Sequence, residues 1–196
     1  MKEINFAEQP KVKHFRIDDV SEQDIIKALD KVLYDIIEGS AEVVKREEYK
    51  QIVSWLQDNQ GKGVILLGGI GQGKTTICQY IIKPILEAYK VFGENNAVTF
   101  VDAKDMGKKV KSYEDSLPDK AMILDDVGTE SETVYWGERH NSFFELVDYA
   151  EKNGIMLIIT TNLTWKELTE KYGERTTDRL KALVAPIVFK GKSLRK

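Results

Sequence analysis

A glycine-rich stretch that ends in lysine and threonine follows an apolar run of the chain. Residues 68–75 read GGIGQGKT and fit the spacing G-x-x-x-x-G-K-[ST]. Gly69, Gly71 and Gly73 allow positive φ angles, so that backbone N–H groups can approach an anion without a Cβ clash. A helix that begins here directs its positive N-terminus at the same anion. The spacing therefore predicts a binding loop for phosphate groups.

The polar side chains of this loop suit a bound nucleoside triphosphate. Lys74 can reach the β- and γ-phosphates, and the hydroxyl of Thr75 can ligate Mg²⁺. Gln72 and Thr76 complete the residues that we expect to contact the nucleotide. The alternative is a glycine-rich turn that arose by chance, but the predicted strand before it and helix after it favour the phosphate loop. We therefore expect ATP and Mg²⁺ as cofactors.

Two adjacent carboxylates end another apolar run, which reads MILDDVG. A strand that presents a carboxylate at its end can supply a metal ligand beside the phosphates. Asp125 would hold Mg²⁺ directly or through water, and Asp126 would orient or deprotonate an attacking water. The alternative is an ordinary strand-to-loop turn, where aspartate is common. Beside a phosphate loop, the pair favours a site for nucleotide hydrolysis.

A further apolar run, GIMLIITTN, ends in Thr160, Thr161 and Asn162. Small polar side chains at this position could hydrogen-bond the γ-phosphate or the attacking water, and Asn162 is the candidate for that sensor role. The alternative is helix capping, because Thr164 followed by Glu167 has the spacing of a capping box. Thr164 can cap a helix while Asn162 contacts the phosphate, so both interpretations stand.

The elements that position these side chains are predicted from apolar runs of strand length, which cover 64–67, 97–101, 121–124, 155–160 and 185–189. Helical patterns lie between most of them, for example over 75–89 and 141–152. This alternation predicts an α/β fold with a mostly parallel five-stranded sheet flanked by helices on both faces. Ligands of such sheets bind at the carboxyl ends of the strands, where the candidate residues lie.

The first 60 residues have a different pattern. Residues 1–20 are polar and mixed, and Ser21 with Asp24 has the spacing of a capping box. Apolar residues recur behind it at helical spacing over 25–37, and a second helix is predicted over 44–58. We therefore expect an arm and helices over 1–60 and a nucleotide-binding domain over 61–196.

Composition limits the class of protein. The 196 residues carry a net charge of −3, so whole-molecule charge does not attract nucleic acid. Cys78 is the single cysteine, which excludes an intrachain disulfide and fits a reducing compartment. No run approaches the roughly 18 apolar residues of a membrane span. These features predict a cytoplasmic protein that does not bind a membrane.

Five segments of the chain together resemble the bacterial replicative helicase loaders of the DnaC/DnaI type. They are GGIGQGKT, MILDDVG, IITTN, YGERTTDRL and IVFKGKSLR. Transposition ATPases of the IstB type are close relatives. The resemblance covers about residues 61–196. It implies an AAA+ P-loop NTPase fold, ATP hydrolysis, and a replicative helicase as partner. Asp126, which is shorter than glutamate, suggests slow turnover.

The resemblance also implies roles for side chains near the chain ends. Arg179 matches the arginine finger that completes a neighbouring subunit's ATP site, which implies self-association or a partner subunit, and Arg175 is the second candidate. Arg195 matches the sensor 2 position, which contacts ATP in the same subunit. His14 and Phe15 lie where related proteins wrap adenine. Without the resemblance, these arginines would be interpreted as solvated charges.

Two departures from the family pattern leave other functions open. The segment over 104–120 is short where loaders contact single-stranded DNA, and its cluster of Lys108, Lys109 and Lys111 fits a solvated face equally well. The N-terminal region is also shorter than the partner-binding domain of full loaders, although the predicted helix over 25–37 could serve. The alternatives are an IstB-like regulator of transposition that acts on DNA, and a P-loop kinase for a small molecule.

Overall fold

The structure is a computed structural model that describes residues 10–37, 47–94, 98–111, 120–130, 133–135, 138–140, 142–190 and 193. Of residues 33–37, 111, 133–135 and 138–140 it describes the backbone alone. The strands in these ranges are β1 Gly63–Leu67, β2 Thr99–Asp102, β3 Ala121–Val127, β4 Thr133–Tyr135, β5 Glu138–His140, β6 Met156–Thr161 and β7 Val184–Val188.

The helices of the described residues are α1 Glu22–Ile37, α2 Glu47–Gln57, α3, α4 Met106–Lys111, α5 Ser142–Asn153, α6 Trp165–Tyr172 and α7 Glu174–Leu183. Helix α3 has three consecutive segments, Lys74–Ile77, a π-helical turn Cys78–Ile82, and Lys83–Ala88. Pro84 has no N–H to donate to the preceding turn, and the helix widens directly before it. A 3₁₀ turn, Ala103–Asp105, precedes α4.

The central sheet contains five parallel strands in the order β2-β3-β6-β1-β7. Each corresponds to a predicted apolar run, so the prediction of the sheet is confirmed. The predicted helices over 75–89 and 141–152 are confirmed as α3 and α5. The second sheet, an antiparallel hairpin of β4 and β5, was not predicted.

Helices cover both faces of the sheet, and successive residues of β1 show how. Val64 and Leu66 contribute to a core shared with α1, α2 and α3. Ile65 and Leu67 contribute to a second core, shared with α4, α5, α6 and α7. Because both faces are covered, β1 is buried along its whole length, which explains its unbroken apolar sequence.

The first two helices follow the predicted signals. The Ser21 N–H donates to Asp24 Oδ2 at 2.9 Å, and the Asp24 N–H donates back to Ser21 Oγ at 3.3 Å, which confirms the capping box before α1. The second helix, α2, begins at Glu47, and positions 44–46 of its predicted range lie outside the described residues. Within the described part of the chain, no helix is long and apolar enough to cross a membrane.

Residues 10–20 form an extended segment that packs into the first core. Phe15 donates its N–H to Asn59 Oδ1 at 2.8 Å, and its ring meets that of Trp55 edge-on with centroids 5.4 Å apart. Asn59 is buried and also donates to the Lys62 carbonyl at 3.0 Å. This places the segment beside the residues that lead into β1, at the amino ends of the strands.

The contacts of this segment bear on the expected adenine contact. His14 Nε2 lies 2.9 Å from Asp58 Oδ1, and Phe15 packs at the amino end of β1. The phosphate loop follows the opposite, carboxyl end of the same strand. His14 and Phe15 thus fasten the N-terminal segment to the domain, and their contact with adenosine stays a prediction.

Candidate functional site

The phosphate loop begins where β1 ends between two neighbouring strands. The Gly68 N–H donates to the Thr161 carbonyl of β6 at 3.2 Å, and the Phe189 N–H after β7 donates to the Leu67 carbonyl at 2.7 Å. Gly71 and Gly73 have φ angles of 78° and 85°, which confirms the predicted need for glycine. The loop then leads directly into α3. This is the arrangement of strand, glycine-rich loop and helix N-terminus that binds phosphate.

Lys74 lies inside the loop and is only 5% exposed. Its Nζ donates to the carbonyls of Gly68 and Gly69 at 2.7 and 2.8 Å, and to Asn162 Oδ1 at 2.9 Å. These three acceptors are neutral, so they orient the ammonium group without cancelling its charge. A buried cation aimed by neutral dipoles favours an anion beside it.

The other predicted loop residues occupy distinct positions. Gln72 is buried behind the loop, where a Cβ on Gly68 would lie 2.3 Å from its Oε1. Thr75 and Thr76 are half-buried in the first turn of α3. Gly69 is exposed. The loop thus exposes Gly69 and keeps the Gln72 amide beneath Gly68.

An irregularity in β3 separates the two predicted carboxylates. The register places Leu124 opposite Ile159 and Val127 opposite Thr161, so Asp125 and Asp126 together face one residue of β6. Asp126 adopts a left-handed conformation with φ of 58°. A bulge of this kind redirects side chains at functional sites.

Thr160 is the residue opposite the bulge. Its hydroxyl donates to Asp125 Oδ1 at 2.6 Å and accepts from the Asp126 N–H at 2.9 Å. One buried side chain therefore satisfies the backbone of one carboxylate residue and orients the side chain of the other. Sequence analysis noted Thr160 as polar but assigned it no role of its own.

Asp125 is 6% exposed and lies in contact with the phosphate loop. Burial raises its pKa, and the charges of Asp126 and Asp102 add to this, while hydrogen bonds from the hydroxyls of Thr160 and Thr75 oppose it. Carboxylate and hydroxyl oxygens are ligands that Mg²⁺ accepts, and a cation would offset the clustered negative charge. The residues present therefore fit the predicted metal. Asp102, paired with Asp125 in the β2–β3 register, was missed although it too ends an apolar run.

Asn162 connects the two halves of the site. Its Oδ1 accepts from Lys74 Nζ at 2.9 Å, and its Nδ2 donates to Asp126 Oδ1 at 3.3 Å. The capping box of Thr164 and Glu167 before α6 is also present, so capping and an inward-facing Asn162 coexist as expected. The structure thus brings the loop lysine, both carboxylates and the polar residue of β6 into one continuous set of contacts.

The two predicted arginines that the structure describes, Arg175 and Arg179, lie apart from these contacts. Arg179 on α7 pairs through Nη1 with Asp148, and its Nε lies 3.2 Å from Glu151 Oε2, both on α5. Arg175 is exposed one turn earlier, and Arg195 lies outside the described residues.

The basic cluster near α4 is described in part. Lys108 Nζ lies 2.5 Å from Asp105 Oδ1, with 85% of the lysine side chain exposed. Lys109 is half-buried, and the Lys111 side chain is outside the described residues.

Three solved structures illustrate the fold that this chain shares with known proteins. The DnaC helicase loader matches with a TM-score of 0.53 and 22% identity, over 74% of this chain and 92% of that one. DnaI matches with 0.56 and 18%, over 83% and 93%. The replication initiator DnaA bound to AMPPCP and single-stranded DNA matches with 0.52 and 13%, over 82% and 51%. No protein-family model and no curated protein matches the chain. At these identities, the comparisons show a shared fold.

Proposed function

We propose, from the AAA+ P-loop fold that this chain shares with the DnaC helicase loader and DnaI, that it binds and hydrolyses ATP with Mg²⁺ in DNA replication. Its role there would be to load or remodel a replicative helicase. The observation that carries the nucleotide site is the contact of Asn162 with both Lys74 and Asp126. It joins the phosphate loop to a carboxylate at the carboxyl edge of the sheet.

Each side chain has a defined task in this proposal. The loop amides and Lys74 bind the β- and γ-phosphates, while Thr75 and Asp125 hold Mg²⁺, which neutralises charge on the phosphates. Asp126 orients the attacking water and accepts its proton, and Asn162 Nδ2 fixes the Asp126 carboxylate. Because Lys74 and Asp126 share Asn162, the γ-phosphate and the water are aligned by one amide group.

The remaining predicted residues would contact ATP or a partner molecule. Arg179 would reach the ATP site of a neighbouring subunit, with Arg175 as the alternative, and Arg195 would contact ATP in its own subunit. A fixed guanidinium can neutralise charge on the transferred phosphoryl group. The exposed Lys108 offers a contact for single-stranded DNA. ATP binding would order an assembly with the helicase, and hydrolysis would release it.

Calorimetry with ATP and Mg²⁺ tests the nucleotide site. The wild type is expected to bind ATP. Lys74→Ala is expected to bind it at least ~10-fold more weakly, because the phosphates lose the buried ammonium group that pairs with them. Lys90→Ala is the matched control, since Lys90 pairs with Glu94 on an exposed surface. Equal affinity of the wild type and Lys74→Ala would contradict the site.

Affinity capture from the host lysate, with and without ATP, tests the role in replication. A replicative helicase should be retained by the wild type and lost with Lys74→Ala. The IstB-like alternative predicts ATP-dependent filaments on duplex DNA, which electron microscopy would detect. Filaments without helicase retention would replace the loader proposal with the transposition one.

A further inference from the structure

A tight turn follows Asp126, and side chains of the same molecule bind both the N–H and the carbonyl of its central residue, Gly128. The Thr129 N–H and hydroxyl both donate to the Asp126 carbonyl, at 3.1 and 2.8 Å. Between them lies Gly128, with φ of 109°. Its N–H donates to Glu130 Oε2 at 2.9 Å, and its carbonyl accepts from Lys171 Nζ at 2.6 Å.

Glu130 is the centre of this arrangement. Its side chain is 13% exposed, and besides the Gly128 N–H it accepts the hydroxyl of Tyr172 and lies 3.1 Å from Lys171 Nζ. Burial, followed by the bond to Glu130, raises the pKa of Tyr172, so its hydroxyl remains a donor. A carboxylate with three donors is held in one orientation, and it holds the turn in return.

The same turn packs against Leu163, the residue that follows Asn162 in the chain. A Cβ on Gly128 would lie 2.6 Å from Leu163 Cδ1, so Leu163 packs directly on the turn. Leu163 is the chain neighbour of Asn162, whose Nδ2 donates to Asp126 Oδ1 at 3.3 Å. The position of the turn therefore sets the distance between Asp126 and Asn162.

We propose that Glu130 is a positioning residue for hydrolysis, which fixes the turn after Asp126 against Lys171 and Tyr172 at the end of α6. This inference rests on the proposed function and deepens it. By binding the Gly128 N–H, Glu130 holds the backbone of Asp126 in its left-handed conformation. In that conformation the Asp126 carboxylate faces Asn162. It does not touch the phosphate loop, so its effect is on the chemical step and not on nucleotide affinity.

Other contacts of α6 make it possible to test whether Glu130 positions Asp126 or only anchors α6 to the domain. Leu168 is fully buried, and the ring of Tyr172 packs on Phe143 with centroids 4.5 Å apart. These apolar contacts keep α6 docked when the Glu130 carboxylate is changed. Glu130→Gln preserves the length of the side chain and removes its charge. Glu170→Gln is the matched control, because Glu170 lies on the same helix in an exposed pair with Lys166.

The test measures kcat, ATP affinity and amide hydrogen exchange in Glu130→Gln, Tyr172→Phe and Glu170→Gln. We expect kcat to fall about 10- to 100-fold in Glu130→Gln, as is usual when a supporting partner of a site is lost. Tyr172→Phe should lose less, because Lys171 and Gly128 still bind Glu130. ATP affinity should remain within about twofold of the wild type, a limit chosen to separate positioning from binding. Exchange of the Gly128 and Thr129 amides should accelerate.

The exchange measurement keeps this inference distinct from the proposed function. If the wild type does not hydrolyse ATP, the proposed function fails, and faster exchange over 126–130 in Glu130→Gln still supports the clamp on the turn. The inference is overturned if exchange and kcat in Glu130→Gln match those in Glu170→Gln. It is equally overturned if ATP affinity falls in parallel with kcat, since the residue would then only stabilise the fold around the site.

Discussion

At the scale of single residues, the site depends on a few neutral side chains that organise charged ones. Thr160 touches both carboxylate residues, and Asn162 touches both Lys74 and Asp126. A neutral hydroxyl or amide can accept and donate at once, which a charged side chain cannot do. Such residues connect the buried Lys74 and Asp125 to the half-buried Asp126 through hydrogen bonds.

A substitution of Thr160, which lies opposite the bulge in β3, tests whether a neutral side chain organises the two carboxylates. Thr160→Val keeps the shape of the side chain but leaves the Asp126 N–H and Asp125 Oδ1 without their partner. We expect a loss of about 1–3 kcal/mol in the free energy of unfolding, because the buried groups lose their hydrogen bonds. ATPase activity should fall as well, since the carboxylates are no longer oriented.

Chemical denaturation and steady-state ATPase assays measure these two effects. Thr177→Val is the matched control, because Thr177 is also buried but its hydroxyl donates within α7, to the Glu174 carbonyl at 3.0 Å. If Thr160→Val and the wild type have the same denaturation midpoint, the Thr160 hydroxyl does not stabilise the bulge.

At the scale of elements, the sequence predicted what depends on burial and local signals. The three inner strands of the central sheet, β1, β3 and β6, are buried on both faces, so each appears as an apolar run between breakers. The edge strands β2 and β7 are only partly buried but are apolar enough to be recognised. The capping boxes before α1 and α6 depend on two side chains three residues apart and were equally visible. Because parallel strands present their carboxyl ends at one edge, the meeting of Lys74, Asp125 and Asn162 was predictable too.

Features that depend on tertiary contacts were not predictable. The bulge at Asp126 arises from the register of β3 against β6, which no local pattern encodes. Strands β4 and β5 have three residues each, too few for a periodic signal. Glu130 finds Lys171 and Tyr172 only after the chain has passed through α5 and β6. Its carboxylate looked like any polar loop residue in the sequence.

The contact between α5 and α7 gives a prediction about pH. The hydrogen bond from Lys152, and then that from Arg179, lower the pKa of Asp148 below its ordinary value of 3.8. A carboxylate with a lowered pKa in the folded state contributes stability above pH 3.8, which is lost as pH falls through the folded pKa. Asp148→Asn should therefore cost about 1 kcal/mol near neutral pH, or roughly 2–4 °C in the melting temperature.

Thermal denaturation of both proteins as a function of pH checks this expectation. The difference in melting temperature should shrink as the pH drops below 3.8, where Asp148 becomes protonated in the wild type. Asp178→Asn is the control, because Asp178 lies exposed on α7 at 3.5 Å from Lys181. A difference that stays constant down to the lowest pH would show that the charge of Asp148 is not responsible.

At the scale of the whole molecule, the proposed function predicts that a neighbouring chain completes the site with an arginine. Lys74 supplies a cation from within the loop, while Arg179 is bound to Asp148 and Glu151 on α5. To serve an ATP site, Arg179 must exchange these carboxylates for the phosphates of a neighbouring chain. Arg175 is exposed in the first turn of α7 and pairs with no carboxylate among the described residues.

A mixing experiment decides whether an arginine acts between chains and which one does. Arg179→Ala keeps an intact nucleotide site, and Asp126→Asn keeps intact arginines, so each variant alone should hydrolyse ATP at least ~10²-fold more slowly than wild type. Mixing the two should restore part of the activity, because Arg179 of one chain then completes the intact site of the other. The rate should also rise more steeply than linearly with protein concentration.

The same mixture made with Arg175→Ala distinguishes the two residues. If only Arg175→Ala loses ATPase activity alone and regains it on mixing with Asp126→Asn, the role belongs to Arg175. Full activity of both single arginine variants at low concentration would show that the site is complete within one chain.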